Sequence, residues 1–401
     1  MQLGLLVMLM GVVFYTMVAN RLTKTIITAP IYFLILGYIL SYCNFIEEND
    51  IKKMLHLVAE ISLIVLLFID ASKINLKKLR QQQSWPLRML LIGLPSSIIL
   101  GSLLAIPFFP HWSIGAIALI AAILSPTDAA LGQAVVSNEA VPEKERQTLT
   151  VESGLNDGLA LPIILFLASL TAVTSDNIDS INWLWFGGKQ IILGPIIGGI
   201  LGFCGGKLFL IMENKRYTAP IYEGVGVLAL AGTAYVLASL LGGNGFIAAF
   251  IAGLAFGNIV KDHCKFIYEF TETEGQLLIW LSFLLIGLGL VPEAIAHLSW
   301  NSLAYILISL FIVRPLAIYF SLIGTDARFV TRIFFGWFGP RGLATALFAL
   351  LVVHEIHHDY SDAILMLSIN AVWISALLHG ISSVPAANAY GKFWKKPPVK
   401  S

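Results

Sequence analysis

The sequence predicts an all-α polytopic membrane protein with about thirteen transmembrane helices, in which spans 1–6 and 8–13 form an inverted repeat and two crossing helices are broken. Three observations carry this. The 401 residues are 57% hydrophobic and only 12% charged, about half the charge of an ordinary soluble domain. Apolar runs of about twenty residues, long enough for a hydrocarbon core of about 30 Å, recur along the chain. Basic residues gather in every second loop.

The runs fall at roughly 2–20, 26–43, 55–71, 86–107, 112–136, 148–171, 184–211, 220–240, 244–258, 274–290, 300–323, 330–353 and 363–383. The seventh is long, and the ninth is short and rich in Gly and Ala. The odd-numbered loops hold Arg21 and Lys24; Lys73, Lys77, Lys78 and Arg80; Lys144 and Arg146; Lys215 and Arg216; Lys261 and Lys265; Arg328 and Arg332. The even loops hold only Lys52 and Lys53, beside Glu47, Glu48 and Asp50. The positive-inside rule then places the odd loops and the C-terminus in the cytoplasm and the N-terminus outside. For a bacterial chain this is the inner, plasma membrane. The apolar start has no basic leader and reads as a retained first span. The last segment, from about Gly391, is short and carries Lys392, Lys395, Lys396 and Lys400.

Several classes drop out. A net charge of +1 suggests no nucleic acid partner. Cys43, Cys204 and Cys264 are scattered and odd in number, so neither a disulfide framework nor a transition-metal motif follows. No cofactor motif is legible, and no enzymatic reaction is expected.

Charge inside a bilayer is costly and points to function. Five residues stand out: Asp128, Glu152, Asp157, Arg314 and Arg341. At a rise of about 1.5 Å per residue, Asp157 lies about 15 Å from the cytoplasmic end of span six. Asp128, Arg314 and Arg341 lie about eight to ten residues from the ends of their own spans, so four spans bring charge to the midplane. Glu152 is shallower. The bland reading is a set of buried salt bridges that only hold helices together, and it suits Glu152 and Arg314. Three acids face two arginines, however, so one acid lacks a permanent partner. A buried carboxylate without one exchanges a proton readily, because desolvation disfavours its charged form.

Ser125-Pro126-Thr127-Asp128 interrupts span five, and Gly339-Pro340-Arg341-Gly342 interrupts span twelve. Proline removes a backbone donor and clashes with the preceding turn, and glycine weakens a helix further. Matching breaks in two halves mark a transporter binding site. Asp128 is placed to offset the N-terminal ends of the half-helices and Arg341 the C-terminal ends. Span six reads Glu152-Ser153-Gly154-Leu155-Asn156-Asp157-Gly158, with Ser153 and Asp157 on one helix face and Glu152 and Asn156 on another. Ser153, Asp157 and the Thr127 backbone supply hard oxygens, which suit Na⁺, Li⁺ or K⁺ better than a soft metal. The Asn156 amide anchors the break without adding charge.

At these residues the chain resembles the monovalent cation:proton antiporters, specifically the bacterial NhaP-type branch related to the sodium/proton exchangers. The segments that carry the resemblance are SPTDAALG (125–132), VESGLNDG (151–158), GFIAAFIAGLAFGN (245–258), FLLIGL (283–288), Arg314 and GWFGPRGLATA (336–346). The resemblance implies a homodimer in membrane lipid. It implies scaffold and dimer helices in 1–83, a core domain in 84–172, a linker helix and further scaffold helices in 173–291, core helices in 292–390 and a cytoplasmic tail in 391–401. The core would move like an elevator. Asp157 would take the cation or the proton, with Thr127 (backbone), Asp128 and Ser153 in the ion site and Asn156 stabilising the crossing. Glu152 would pair with Arg314, and Arg341 would balance the broken helices. Asn156 before Asp157 is the pattern of the electroneutral branch and implies one cation per proton. Ala129 departs from the pattern, since many relatives have proline after Thr-Asp.

Two rivals remain. His354-Glu355-Ile356-His357-His358 matches H-E-x-x-H, the signature of a zinc protease through His354, Glu355 and His358. It falls at the outer end of span twelve beside Asp359 and Tyr360, a poor place for a regular helix with a shielded cavity. The other rival is a potassium-selective efflux antiporter or channel-like protein on the same scaffold. Glu60, Asp70, Glu223, Glu272 and Glu274 read as lining or capping groups with no assigned role.

Overall fold

The computed structural model describes residues 2–22, 27–43, 48–77, 84–128, 131–171, 180–261 and 265–394. Lys24, Glu47, Lys78, Arg80, Ala129, Cys264, Lys395, Lys396 and Lys400 lie outside them, as do the side chains of Glu48, Asp50, Lys52, Lys265, Glu272 and Glu274. Among the described residues every regular element is helical. Among these residues, seven helices are long and apolar enough to cross a membrane, and six further apolar helices are shorter. Large apolar side chains such as Leu9, Met17, Ile200, Leu240 and Phe320 face outward. Water would penalise such a surface, and lipid does not.

The first half runs α1 (Gln2–Leu22), α2 (Ala29–Ser41), α3 (Glu48–Ser72), α4 (Ser84–Ala105), α5 (Ile114–Ile123), a short α6 (Gln133–Val136) and α7 (Glu143–Thr171). The second continues through α8 (Ser180–Asn214), α9 (Pro220–Leu240), α10 (Gly245–Val260), α11 (Lys265–Gly289), α12 (Val291–Ala296), α13 (Trp300–Ser321), α14 (Phe329–Trp337), α15 (Leu343–Val352) and α16 (His358–Trp394). Span five of the hydropathy reading is thus α5, a break and α6, and span twelve is α14, a break and α15. The short α12 lay outside the hydropathy reading because six residues make no apolar run.

Small residues set the tightest packing. On α8, Gly194, Gly198 and Gly202 recur every fourth residue. A Cβ at these positions would run into the Asn244, Ala248 and Ala252 carbonyls at the start of α10 and along it. This is the small-xxx-small contact that lets two membrane helices touch backbone to backbone. α10 also packs on α3, and α11 packs on α2 and α3. Ser62 and Ser282 hydroxyls meet at 3.0 Å between α3 and α11.

α4 and α13 share a feature that links the two halves. Each contains a widened π turn, Met89–Gly93 in α4 and Ser309–Val313 in α13. Each turn is followed two residues on by a proline, Pro95 and Pro315. Proline clashes with the carbonyl four residues back, which here lies inside the π turn, so the ladder opens there. The two helices pack at this level. In α13 the residue that follows the widened turn is Arg314.

Away from the breaks, Arg88 on α4 caps the end of α13 by donating from Nε to the Ser321 carbonyl and from Nη2 to that of Ile323, both at 2.7 Å. The Tyr390 hydroxyl on α16 donates to Glu145 Oε1 at 2.9 Å and lies 2.8 Å from Thr331 Oγ1, tying α16 to the starts of α7 and α14.

Candidate functional site

The two breaks cross. α5 ends at Ile123, and Pro126, Thr127 and Asp128 leave the helix. α14 ends at Trp337, and Phe338–Gly342 leave it before α15 starts at Leu343. The strands of free backbone meet where the Asp128 N–H donates to the Pro340 carbonyl at 2.9 Å. Asp128 Oδ2 accepts the Leu343 N–H at 2.7 Å, so a carboxylate sits on the positive end of α15. The buried Arg341 does the reverse for α5. Its Nη1 donates to the Ser125 carbonyl at 2.6 Å and the Pro126 carbonyl at 3.1 Å, placing positive charge on the negative end of α5. Orphan carbonyls and amides at a helix terminus need such partners, above all where water is scarce.

Glycine makes this crossing possible. A Cβ on Gly342 would overlap the Asp128 carboxylate, and one on Gly339 would overlap the Arg314 guanidinium.

α7 clasps the first break. Ser153 Oγ donates to the Thr127 carbonyl at 2.6 Å, and Asn156 Nδ2 donates to Thr127 Oγ1 at 2.6 Å. One turn nearer the start of α7, Glu152 takes a fork from Arg314, Nη1 to Oε1 and Nη2 to Oε2, both at 3.1 Å. Both side chains of this pair are buried. Asp157 completes the face shared with Ser153. Its Oδ1 is buried and has no hydrogen-bond partner among the described residues, and the same holds for Asn156 Oδ1 on the adjacent residue. Asp128, Asp70 and Glu152 all lie near enough to Asp157 to act on it electrostatically. A carboxylate oxygen buried among like charges demands a cation or a proton. The donor set here, carboxylate, amide and hydroxyl oxygens, fits a hard alkali cation.

The structure thus brings Thr127, Asp128, Glu152, Ser153, Asn156, Asp157, Arg314 and Arg341 to the crossing. Sequence reasoning passed over the residues that hold it from α16. Ser375 Oγ accepts the Arg341 N–H at 2.7 Å. His379 Nε2 lies 2.9 Å from the Trp337 carbonyl at the end of α14, and its ring stacks on that of Trp337. The available signal was a Ser and a His four apart in an apolar span. Asp70, left without a role, is on α3 beside Gly154. Thr345 Oγ1, in the first turn of α15, is buried without a hydrogen-bond partner among the described residues.

The H-E-x-x-H segment does not lie along one helix. α15 stops at Val352, His354 and Glu355 are in a turn, and His358 opens α16. His354 faces His56 of α3, while His358 faces Asp359.

The crossed half-helices and the carboxylates between them define an integral membrane protein with the architecture of a cation:proton antiporter. The chain belongs to the sodium/hydrogen exchanger family, whose transmembrane model matches residues 5–389. It is 27% identical to the K(+)/H(+) antiporter NhaP of Alkalimonas amylolytica, over 96% of this chain and 67% of that one. It is 28% identical to the K(+)/H(+) antiporter NhaP2 of a Shewanella species (strain ANA-3), over 83% of this chain and 57% of that one. The fold is similar to that of the sodium proton antiporter MjNhaP1 from Methanocaldococcus jannaschii at pH 8, with a TM-score of 0.80, 20% identity and coverage of 98% and 97% of the two chains.

Proposed function

We propose that this antiporter exchanges one monovalent cation for one proton, with the two competing for Asp157. The cation is Na⁺, with Li⁺ and K⁺ as alternatives. The observation that carries the reading is the buried Asp157 Oδ1, which has no hydrogen-bond partner among the described residues. One carboxylate holds either a proton or a metal ion. Either neutralises it, and a neutral site crosses a low-dielectric barrier far more easily than a charged one. Exchange then needs only competition and access from the two sides in turn.

Around this carboxylate each residue has its own work. Ser153 and the Thr127 carbonyl offer neutral oxygens. Asn156 fixes Thr127 without adding charge, which favours electroneutral turnover. Glu152 and Arg314 neutralise each other. Asp128 and Arg341 hold the helix ends. The elevator-like movement of a core around spans four to six and eleven to thirteen, a homodimer, and cytoplasmic odd-numbered loops in the inner membrane belong to the same reading. K⁺ in place of Na⁺ is favoured by one observation, the K(+)/H(+) antiporter names of the two relatives above.

The test is a proteoliposome with an imposed pH gradient, to which Na⁺, Li⁺, K⁺ and Rb⁺ are added in turn. Dissipation by at least one of Na⁺, Li⁺ and K⁺ is expected. A gradient that none of the four dissipates overturns the reading.

A further inference from the structure

The turn between α15 and α16 approaches α3 through two histidines. His354 Nε2 lies 3.5 Å from His56 Nε2, and both side chains are exposed. That separation is long for a direct hydrogen bond between ring nitrogens. Two nitrogens each held about 2.0–2.1 Å from one tetrahedral ion stand about 3.3–3.4 Å apart. The ring centres repeat the match. They are 5.3 Å apart and the planes are inclined by 33°. A shared tetrahedral ion requires ring centres about 5.2 Å apart, whereas a straight N–H···N bond at the observed spacing puts them about 5.8 Å apart. The ring centres thus lie closer together than a straight N–H···N bond allows, at the separation a shared ion requires.

We propose that His56 and His354 form a binding site for a borderline transition-metal ion such as Zn²⁺, which bridges α3 and the end of α15. Two imidazoles supply half of a tetrahedral shell, and water fills the rest. Glu60, one turn along α3, acts electrostatically on His56 and adds negative charge beside the ion. Its Oε1 is held by the Tyr235 hydroxyl at 2.5 Å.

The place gives the site a consequence. α15 begins at Leu343, whose N–H is held by Asp128, and ends just before His354. An ion on both histidines ties the far end of this half-helix to α3, on which it packs. If exchange requires α15 to move against α3, the bound ion slows it. That consequence rests on the exchange reading above, but the binding does not.

A second set of donors lies within a few residues. His357 Nδ1 and His358 Nε2 stand 3.3 and 3.1 Å from the Asp359 carboxylate. It belongs to one short segment and bridges nothing, so the experiment separates the two.

The full chain, purified in detergent, is titrated with Zn²⁺ by calorimetry and with Co²⁺ by visible absorption. Expected is saturable binding at micromolar concentration that weakens by at least about tenfold in His56→Ala and in His354→Ala and survives in the double variant H357A/H358A. Both first variants alter exposed side chains, and an unchanged chromatographic profile shows that they fold. In proteoliposomes, Zn²⁺ slows exchange by the parent chain, a chelator restores it, and the H56A chain exchanges at the parent's metal-free rate whether or not Zn²⁺ is present. No Zn²⁺ binding by the parent chain overturns the site. Binding that is lost only with His357 and His358, or unchanged in H56A, overturns it equally. Zn²⁺ binding to His56 and His354 without any slowing of exchange keeps the site and overturns the clamp.

Discussion

Asp128 and Arg341 cap each other's broken helix. Asp128 Oδ2 takes the Leu343 N–H at the start of α15, and Arg341 Nη1 donates to the Ser125 carbonyl near the end of α5. The acid follows one break and the base precedes the next half-helix, yet each serves the helix in the opposite half of the chain. Each is matched to a helix dipole.

Gly342→Ala tests that arrangement. The new methyl would occupy the Asp128 carboxylate's place and drive it off the Leu343 N–H. Losing a cap of this kind costs about 1–2 kcal/mol, so a lower melting temperature in detergent and slower exchange are expected. Gly232, with nothing near its missing Cβ, is the control, and Gly232→Ala should leave both unchanged. Parent-like melting and exchange in Gly342→Ala would contradict the capping account.

Much of this is legible in the amino-acid sequence. Hydropathy alone marks α3, α4, α7 and α13 as spans, and proline and glycine mark the breaks after Ser125 and Gly339. Depth arithmetic put Asp128, Asp157, Arg314 and Arg341 at one level. What it could not supply was which charge touches which. The Glu152–Arg314 fork joins residues 162 positions apart; the family resemblance implied that pair, and no local pattern encodes it. Nor were the π turns of α4 and α13 legible, although Pro95 and Pro315 respectively open the ladder there. Ser375 and His379 were overlooked because a lone Ser or His in an apolar span usually bonds only within its own helix.

The Glu152–Arg314 pair should behave as a buried pair does. Arg314→Leu alone strands the carboxylate and is expected to cost about 3–5 kcal/mol. Replacing both residues with leucine should cost less than Arg314→Leu alone, because no charge is then left unpaired. Thermal melts of the two variants give the comparison. A double variant less stable than Arg314→Leu would show that the pair contributes more than mutual neutralisation.

A pH signature is expected at Asp326, in the loop after α13. Its carboxyl is held below the usual range, first by the hydrogen bond from Lys144 at 2.7 Å, with Trp85 Nε1 at 2.6 Å helping and partial burial opposing. A depressed acid stabilises the fold above its unfolded pKa, and that contribution is lost as pH falls through the folded value. Both partners are largely exposed, so Asp326→Asn should cost less than about 1 kcal/mol at neutral pH. The difference should vanish in acid, below the depressed value. Melting curves from neutral to acid pH decide, and a difference that grows as pH falls would contradict the assignment.

Electroneutral exchange is tested by voltage. Asn156 leaves Asp157 as the acid of that adjacent pair, so one cation should cross for each proton. Reconstituted protein should dissipate a pH gradient without changing the signal of a potential-sensitive dye. A clear potential during turnover, abolished with turnover itself, would contradict one-for-one exchange.

The most direct measurement is of Asp157→Asn. The substitution keeps size and polarity but removes the titrating, cation-binding group at the crossing. The account predicts a folded protein, with a parent-like chromatographic profile, that no longer dissipates a pH gradient on addition of Na⁺, Li⁺ or K⁺. Normal gradient-driven exchange by Asp157→Asn would contradict it.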